Sequence, residues 1–222
     1  MDPLRLLADQ RCAVCAARGA LLCRACRPLL PWLRGPFCAR CGEPDPHGRV
    51  RCDRCTQLGS GIATARSALA HHGAGGSLVR AWKDAARNPV AELAASCIVA
   101  AVPRPAAELI VPVPAARERA DWRGVDGPHA LAILLGRAWR LPVGTGGLER
   151  VDARPQRGLS AAQRRVNAAR AIVGSGQIEG RAILVDDVLT TGATVRAVAH
   201  QLRRAGAERV DVVTFVRVAT IP

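Results

Sequence analysis

Apolar runs separated by helix-forming segments divide most of this chain into alternating strands and helices. Short runs rich in branched apolar residues predict strands buried on both faces, as in parallel sheets. The predicted strands of this kind cover 109–114, 183–185 and 210–218, and a further strand is predicted at 64–70. Apolar residues at helical spacing predict helices that begin at Ser77, Pro89, Pro128 and Val195. This alternation predicts an α/β domain over residues 62–222, with a parallel sheet flanked by helices.

Two helix boundaries carry a specific signal. Ser77 follows a glycine-rich turn at 71–76, and its hydroxyl is predicted to cap the first helix. Gly206 is predicted to end the last helix, because glycine readily adopts the left-handed conformation found just after a helix.

Residues 1–58 differ from the rest of the chain and are predicted to form a small zinc module. Four Cys-x-x-Cys pairs each offer two thiolates from one tight turn, which suits a tetrahedral, structural Zn²⁺. With four protein ligands, such a zinc has no open position for catalysis. The segment is too small and too rich in proline to bury much apolar surface, so the metal is expected to supply its folding energy. The predicted ligands are Cys12, Cys15, Cys23, Cys26, Cys38, Cys41, Cys52 and Cys55.

The spacing leaves the grouping of these cysteines open. Two consecutive sets of four and a cross-braced arrangement both agree with it. A single ion in the second set also agrees, since only seven residues separate Cys15 from Cys23. A disulfide framework is the alternative, but it requires an oxidising compartment, and the sequence shows no targeting signal. We interpret His47 as a surface residue and Cys97 as a core residue of an apolar helix.

Charge and composition limit the partners of the protein. The formal charge of +14 favours polyanions, such as nucleic acid or phosphorylated metabolites, although an Arg-biased solvated surface would also explain it. Aromatic residues make up only 3%, which leaves little surface for stacking single-stranded bases. No apolar run approaches the roughly 20 residues of a membrane helix, and the first ten residues lack the apolar segment of a signal peptide. We therefore expect a cytoplasmic protein with no membrane span.

The stretch 183–194 combines the end of a buried strand, two acids and a hydroxyl-rich loop. A glycine lets the backbone approach a ligand, and the helix after it directs free N–H groups into the same space, so this loop is predicted to hold a phosphate. Asp186 and Asp187 would repel a phosphate, but they suit sugar hydroxyls or a hydrated Mg²⁺. The predicted ligand is therefore a phosphorylated sugar that carries a metal. The predicted phosphate loop consists of Thr190, Thr191, Gly192, Ala193 and Thr194.

Two other interpretations of this stretch compete with a sugar-phosphate site. One is an ordinary strand end whose acids cap the next helix. The other is a Walker-B acid pair, but the chain has no Walker-A sequence to accompany it.

Basic residues near this stretch are candidates for holding further phosphate groups. Arg117, Arg119 and Arg123 follow the strand at 109–114, and a loop beyond the carboxyl end of a strand can clamp a pyrophosphate. Lys83 is the only lysine of the chain, and its ammonium can face a phosphate. The alternatives are a solvated basic loop and a surface lysine. Residues 150–165 are rich in arginine without a hydrophobic period, and they are predicted to form a mobile lid.

Taken together, these motifs are similar to the ComF family of phosphoribosyltransferase-like proteins. The stretch 183–194 resembles the phosphoribosyl pyrophosphate (PRPP) motif of type I phosphoribosyltransferases, and the four cysteine pairs match in position. The other matching positions are Leu78-Val79-Arg80, Lys83, Val111-Pro112-Val113-Pro114, Arg123-Gly124, Pro155-Gln156, Leu159-Ser160, Arg164, Arg165 and Asn167.

The resemblance implies a fold, a ligand and a biological setting. The fold would be that of type I phosphoribosyltransferases with an N-terminal structural zinc module, and the ligand would be PRPP with Mg²⁺. Asp186 and Asp187 would hold the ribose hydroxyls, and with Lys83 they would form the catalytic group. The setting would be natural competence and DNA uptake. Its partners would be single-stranded DNA and a competence helicase or other DNA-uptake proteins.

Two departures from the family pattern concern the pyrophosphate and acceptor parts of the site. The usual Arg-Gly-Phe-Asn-Gln reads Arg123-Gly124-Val125-Asp126-Gly127, which places an acid near the expected pyrophosphate. The aromatic residue expected a few positions after Asn167 is Ile172. The part that would bind ribose 5-phosphate is complete.

Two functions agree with this sequence. One is transfer of a phosphoribosyl group from PRPP to a nucleophile, with loss of pyrophosphate, in DNA uptake or nucleotide metabolism. The other is a non-catalytic, single-stranded-DNA-binding competence factor that keeps the phosphate site as a sensor or structural grip. The sequence leaves open whether the protein is an enzyme, because no acceptor-binding signature is legible.

Overall fold

The computed structural model describes residues 10–85, 88–114, 126–150, 172–174 and 177–219. Four parallel strands form the central sheet in the order β1-β6-β5-β2, and β3 and β4 form a separate antiparallel pair. The strands are β1 (Thr64–Ala70), β2 (Leu109–Pro112), β3 (Leu148–Arg150), β4 (Ile172–Gly174), β5 (Arg181–Leu189) and β6 (Arg209–Arg217). The helices are α1 (Gly73–Ala85), α2 (Asn88–Ala101), α3 (Gly127–Trp139) and α4 (Ala193–Arg204). The predicted parallel α/β fold is confirmed.

Helices cover the two faces of this sheet, and β5 shows why its apolar run does not alternate. Ile183 and Val185 pack into the core that α1, α2 and α3 form, whereas Ala182 and Leu184 pack on the opposite face with α4. Successive side chains of a strand point to opposite faces, so a strand covered on both faces needs apolar residues throughout.

The predicted turn at 71–76 is wrong in part, because α1 already begins at Gly73. Ser77 does not cap the helix. Its hydroxyl lies inside α1 and donates to the carbonyl oxygen of Gly73 at 3.2 Å. Gly75 instead lets the helix backbone lie close to the end of β1, since a Cβ on Gly75 would clash with the carbonyl oxygen of Ala70. The end of α4 agrees with its prediction, since Gly206 follows that helix with φ +109°.

The cysteine-rich segment docks along the free edge of β1. Leu33 donates its N–H to the carbonyl oxygen of Ala68 at 3.0 Å, and Ala70 donates to that of Pro31 at 2.9 Å. Further along the strand, Ala65 donates to the carbonyl oxygen of Arg40 at 2.8 Å. These bonds satisfy backbone groups that a bare edge strand would expose. The boundary between a module at 1–58 and a domain at 62–222 stays a prediction.

Within the described residues, none of the helices combines the length and apolar character needed to span a membrane.

Candidate functional site

The two predicted acids lie in the carboxyl-terminal half of β5, toward the carboxyl edge of the sheet. Asp186 pairs in register with Thr214 of β6, so the strand continues beyond the predicted residues 183–185. An oxygen of the Asp186 carboxylate accepts the backbone N–H of Asp187 at 2.9 Å. Lys83, in the last turn of α1, places its Nζ 3.0 Å from Oδ2 of Asp187. The structure therefore brings together the three residues that were predicted to form the catalytic group.

The environment of Asp186 disfavours its negative charge. Desolvation by the surrounding protein raises the pKa of Asp186 well above its usual value, and the neighbouring charge of Asp187 raises it further. The cation of Lys83 opposes this shift without cancelling it. The charged form of such a carboxyl is stabilised most by a partner that brings hydrogen-bond donors or positive charge.

The predicted phosphate loop connects β5 to α4. Thr190 and Thr191 are exposed, and Gly192 forms the N-cap of α4 with φ +73°, a left-handed conformation that favours glycine. The helix begins at Ala193, two residues earlier than predicted, so Thr194 lies in its first turn. The first N–H groups of a helix lack intrahelical acceptors, and Gly192 has no side chain that could cap them. This end of α4 is therefore suited to an anion.

The predicted pyrophosphate-binding residues and the predicted lid are not placed by this structure. Arg117, Arg119 and Arg123 lie outside the described residues, as does the segment 151–171 that contains nearly all of the lid. Ile172 lies in β4, in register with Arg150 of β3.

Asp126, the acid that departs from the family pattern, has a structural role that the sequence interpretation missed. Its carboxylate accepts the backbone N–H of His129 at 3.1 Å and so caps α3. The signal was present in the sequence, because an Asp followed two residues later by a proline is typical of a helix start. The carboxylate of Asp126 therefore stabilises the amino end of α3. Asp126 lies at the border of the described residues.

The cysteines group into two consecutive sets, and the cross-braced arrangement is excluded. The sulfur atoms within each set all lie within 4.8 Å of one another. Close pairs include Cys15 and Cys23 at 3.7 Å and Cys38 and Cys55 at 3.4 Å. A tetrahedral Zn²⁺ with bonds of about 2.3 Å requires sulfur atoms roughly 3.8 Å apart, so both sets fit the ion. The sets are Cys12, Cys15, Cys23 and Cys26, and Cys38, Cys41, Cys52 and Cys55.

The acidity of the thiols also fits a metal centre. Burial raises the pKa of Cys12, but hydrogen bonds from backbone N–H groups outweigh it and bring the pKa to about 6. Burial and the neighbouring thiols raise the pKa of Cys26 in the same set to about 12. Four crowded thiols therefore resist a second negative charge, which a divalent cation would neutralise.

Two further cysteine-related predictions are confirmed. His47 is exposed and stands apart from both sets, while its backbone N–H donates to Asp45 at 3.0 Å. Cys97 is buried in the core of α2, and desolvation raises the pKa of its thiol to about 11.

Two family models match separate parts of this chain. Residues 4–56 match the double zinc ribbon domain, and residues 138–220 match the phosphoribosyl transferase domain. A solved structure of UMP synthase from Leishmania donovani is 20% identical, with a TM-score of 0.38. That alignment covers 63% of this chain and 24% of the other.

Two curated relatives resemble the chain more closely. Competence protein F from Haemophilus influenzae is 36% identical over 110 residues, which are 47% of this chain and 48% of that protein. DNA utilization protein YhgH from Salmonella typhi is 31% identical over 223 residues, which cover 95% of this chain and 91% of that protein. The second match runs through the zinc ribbons and the phosphoribosyltransferase domain alike, and the chain therefore belongs to the ComF family.

Proposed function

We propose that this protein binds PRPP or a related ribose 5-phosphate ligand together with Mg²⁺. The observation that carries the proposal is the continuity of two elements. The carboxylates of Asp186 and Asp187 lead within three residues into a threonine loop that opens α4. A sugar phosphate matches this order, because its hydroxyls donate hydrogen bonds to carboxylates and its phosphate accepts them from N–H and O–H groups.

Each side chain has a distinct role in this proposal. Asp186 and Asp187 accept the ribose hydroxyls, and loop 190–194 holds the 5′-phosphate. Lys83 lies close enough to Asp187 to orient that carboxylate and to face an anionic leaving group. Arg117, Arg119 and Arg123 are proposed to hold the pyrophosphate. Mg²⁺ enters with the ligand, where it would offset the charge of the pyrophosphate beside the two acids.

The proposed activity is transfer of the phosphoribosyl group. A nucleophile attacks the anomeric carbon, the bond from that carbon to the pyrophosphate oxygen breaks, and the configuration inverts. A lid formed by residues 154–165 would keep water from the reacting sugar. This activity, in DNA uptake or nucleotide metabolism, is the first candidate function.

A second candidate is a non-catalytic factor that binds single-stranded DNA in competence. It is favoured by the formal charge of +14 and by the names of the two relatives, a competence protein and a DNA utilization protein. Its partners would include a competence helicase or other DNA-uptake proteins. In this function the sugar-phosphate site is a sensor or a grip on the nucleotide backbone.

Calorimetric titration with PRPP and Mg²⁺ tests the ligand. The double variant Asp186→Asn/Asp187→Asn should bind at least about tenfold more weakly, because hydrogen bonds to charged acceptors contribute roughly 1.5–3 kcal/mol each. Glu179→Gln is the matched control, since Glu179 is an exposed acid just before the amino end of β5, whereas Asp186 and Asp187 lie toward its carboxyl end. Wild-type protein that binds no PRPP would contradict the proposal.

Two further measurements separate the candidate functions. Release of pyrophosphate with any member of a panel of bases and amines supports the transferase. Binding without release across the panel supports the non-catalytic factor. For DNA, we expect an affinity for single strands that falls steeply between 50 and 200 mM salt, on the order of tenfold or more if several phosphates are neutralised. An affinity that does not change with salt would contradict binding by the basic surface.

A further inference from the structure

A small cleft lies between the phosphate loop and the second zinc ribbon, which we define as residues 38–55. On the loop side it is lined by Thr190, Thr191 and Gly192. On the other side it is lined by Glu43 and Arg54 of the ribbon, with Arg217 at the end of β6. The cleft therefore adjoins the amino end of α4, where an anion is expected. The ribbon forms much of the opposite wall of the cleft.

The cleft is lined by two guanidinium groups and one carboxylate. Oε1 of Glu43 accepts a hydrogen bond from Nη1 of Arg54 at 3.2 Å, and Oε2 accepts one from Nη2 of Arg217 at 2.5 Å. One carboxylate is thus shared by two guanidinium groups. Glu43 is nearly fully buried, whereas the Arg54 side chain is 44% exposed and keeps part of its guanidinium open to the cleft.

Arg217 is a buried cation on the same side of the cleft. Its Nη1 donates to the carbonyl oxygen of Cys41 at 2.6 Å, and its side chain is 8% exposed. Its Nε, however, is buried and finds no acceptor among the described residues. Buried N–H groups of charged side chains are normally satisfied, so Glu43 and Cys41 do not use the full hydrogen-bonding capacity of this guanidinium.

We propose that the second zinc ribbon completes the phosphate site. Arg54 donates to the phosphate of the sugar-phosphate ligand held by loop 190–194, and Glu43 is a positioning residue that holds Arg54 and Arg217 against the cleft. This inference rests on the proposed function for the identity of the ligand. It adds that part of the binding site comes from the zinc module, because Arg54 directly precedes the cysteine Cys55.

The test compares Arg54→Gln with Arg51→Gln in the full-length, zinc-loaded protein. Arg51 is an exposed arginine of the same ribbon, so its variant removes the same charge away from the cleft. Titration with ribose 5-phosphate should show roughly threefold to tenfold weaker binding for Arg54→Gln, since the lost charge-assisted hydrogen bond is partly exposed to solvent. Arg51→Gln should bind like the wild type, and Arg54→Lys should recover part of the affinity.

Zinc content and the unfolding midpoint must match the wild type in both variants, so that weaker binding reports the side chain and not a damaged ribbon. If Arg54→Gln loses zinc, Arg54→Lys becomes the deciding variant, and its affinity must then fall below that of Arg51→Gln. Affinities of the Arg54 variants equal to that of Arg51→Gln would overturn the inference.

Inorganic phosphate, titrated in parallel, separates this inference from the proposed function. If phosphate binds and Arg54→Gln weakens it while PRPP and ribose 5-phosphate do not bind, the inference stands and the proposed ligand is wrong. If PRPP binds through Asp186 and Asp187 but Arg54→Gln has no effect on any of the probes, the ligand stands and the inference fails. Wild-type protein that binds none of the three probes contradicts both.

Discussion

Asp186 shows at the scale of one residue how a desolvated acid beside a second acid opposes the stability of the fold. Because its pKa is raised in the folded state, the folded protein binds a proton at this carboxyl more tightly than the unfolded chain does. Its contribution to stability is therefore greatest at low pH, and it is lost as the pH rises through the folded pKa. Above that pH, the protein holds a desolvated charge beside Asp187.

Asp186→Asn should therefore stabilise the protein without ligand while it weakens ligand binding. The amide keeps an oxygen that can accept the N–H of Asp187, and it removes the unfavourable charge. We expect a gain of roughly 0.5–2 kcal/mol in the free energy of unfolding at pH 8.5, and a smaller gain at pH 6. Urea denaturation of zinc-loaded protein at both pH values measures it. Asp187→Asn is the control and should give a smaller gain, because it relieves the repulsion on Asp186 but breaks the pair with Lys83. An equal gain in both variants would contradict the argument.

Among the elements, the sequence predicted those with a strong hydrophobic period and misplaced those that depend on distant contacts. The last strand was predicted at 210–218 and lies at 209–217, because valine and phenylalanine dominate its sequence. The start of α1 was missed, since the role of Gly75 depends on the carbonyl oxygen of Ala70 across the turn. Likewise, spacing did not show that seven residues between Cys15 and Cys23 can close a zinc site. Ala16 makes this possible by adopting a left-handed conformation with φ +61° that reverses the chain.

The two zinc ribbons should release their metal at different rates. In the first set Cys15 is exposed and Cys23 is half-buried, whereas all four cysteines of the second set are buried. A chelator reaches exposed ligands first, so we expect two Zn²⁺ per chain and release in two phases of about equal amplitude. A metallochromic indicator follows the release. Cys12→Ser/Cys15→Ser should remove the fast phase, and Cys97→Ser should leave both phases unchanged; a single phase in the wild type would contradict the difference.

At the scale of the whole molecule, the ribbons and the sheet are joined by a buried ion pair as well as by the edge of β1. Glu43 belongs to the second ribbon and Arg217 to β6, and their side chains are 6% and 8% exposed. The sequence did not predict this pair, because the two residues are separated by most of the chain and neither stands in a motif. Such a pair adds little net stability when complete, but the loss of one partner leaves a charge buried without its counterion.

Glu43→Gln should therefore lower the free energy of unfolding by about 3–5 kcal/mol, since the guanidinium of Arg217 loses its carboxylate inside the protein. Glu108→Gln is the matched control. Its pair with Arg181 likewise joins a carboxylate to a guanidinium, with 3.0 Å between charged atoms. Both of its side chains are about half exposed, so solvent screens the change to a far smaller value. Urea denaturation followed by circular dichroism and by zinc release measures both variants.

If the ion pair couples the ribbon to the sheet, the two signals change together in the wild type and separate in Glu43→Gln, with zinc released at the lower urea concentration. Equal midpoints for Glu43→Gln and Glu108→Gln would show that the buried pair does not hold the two parts together.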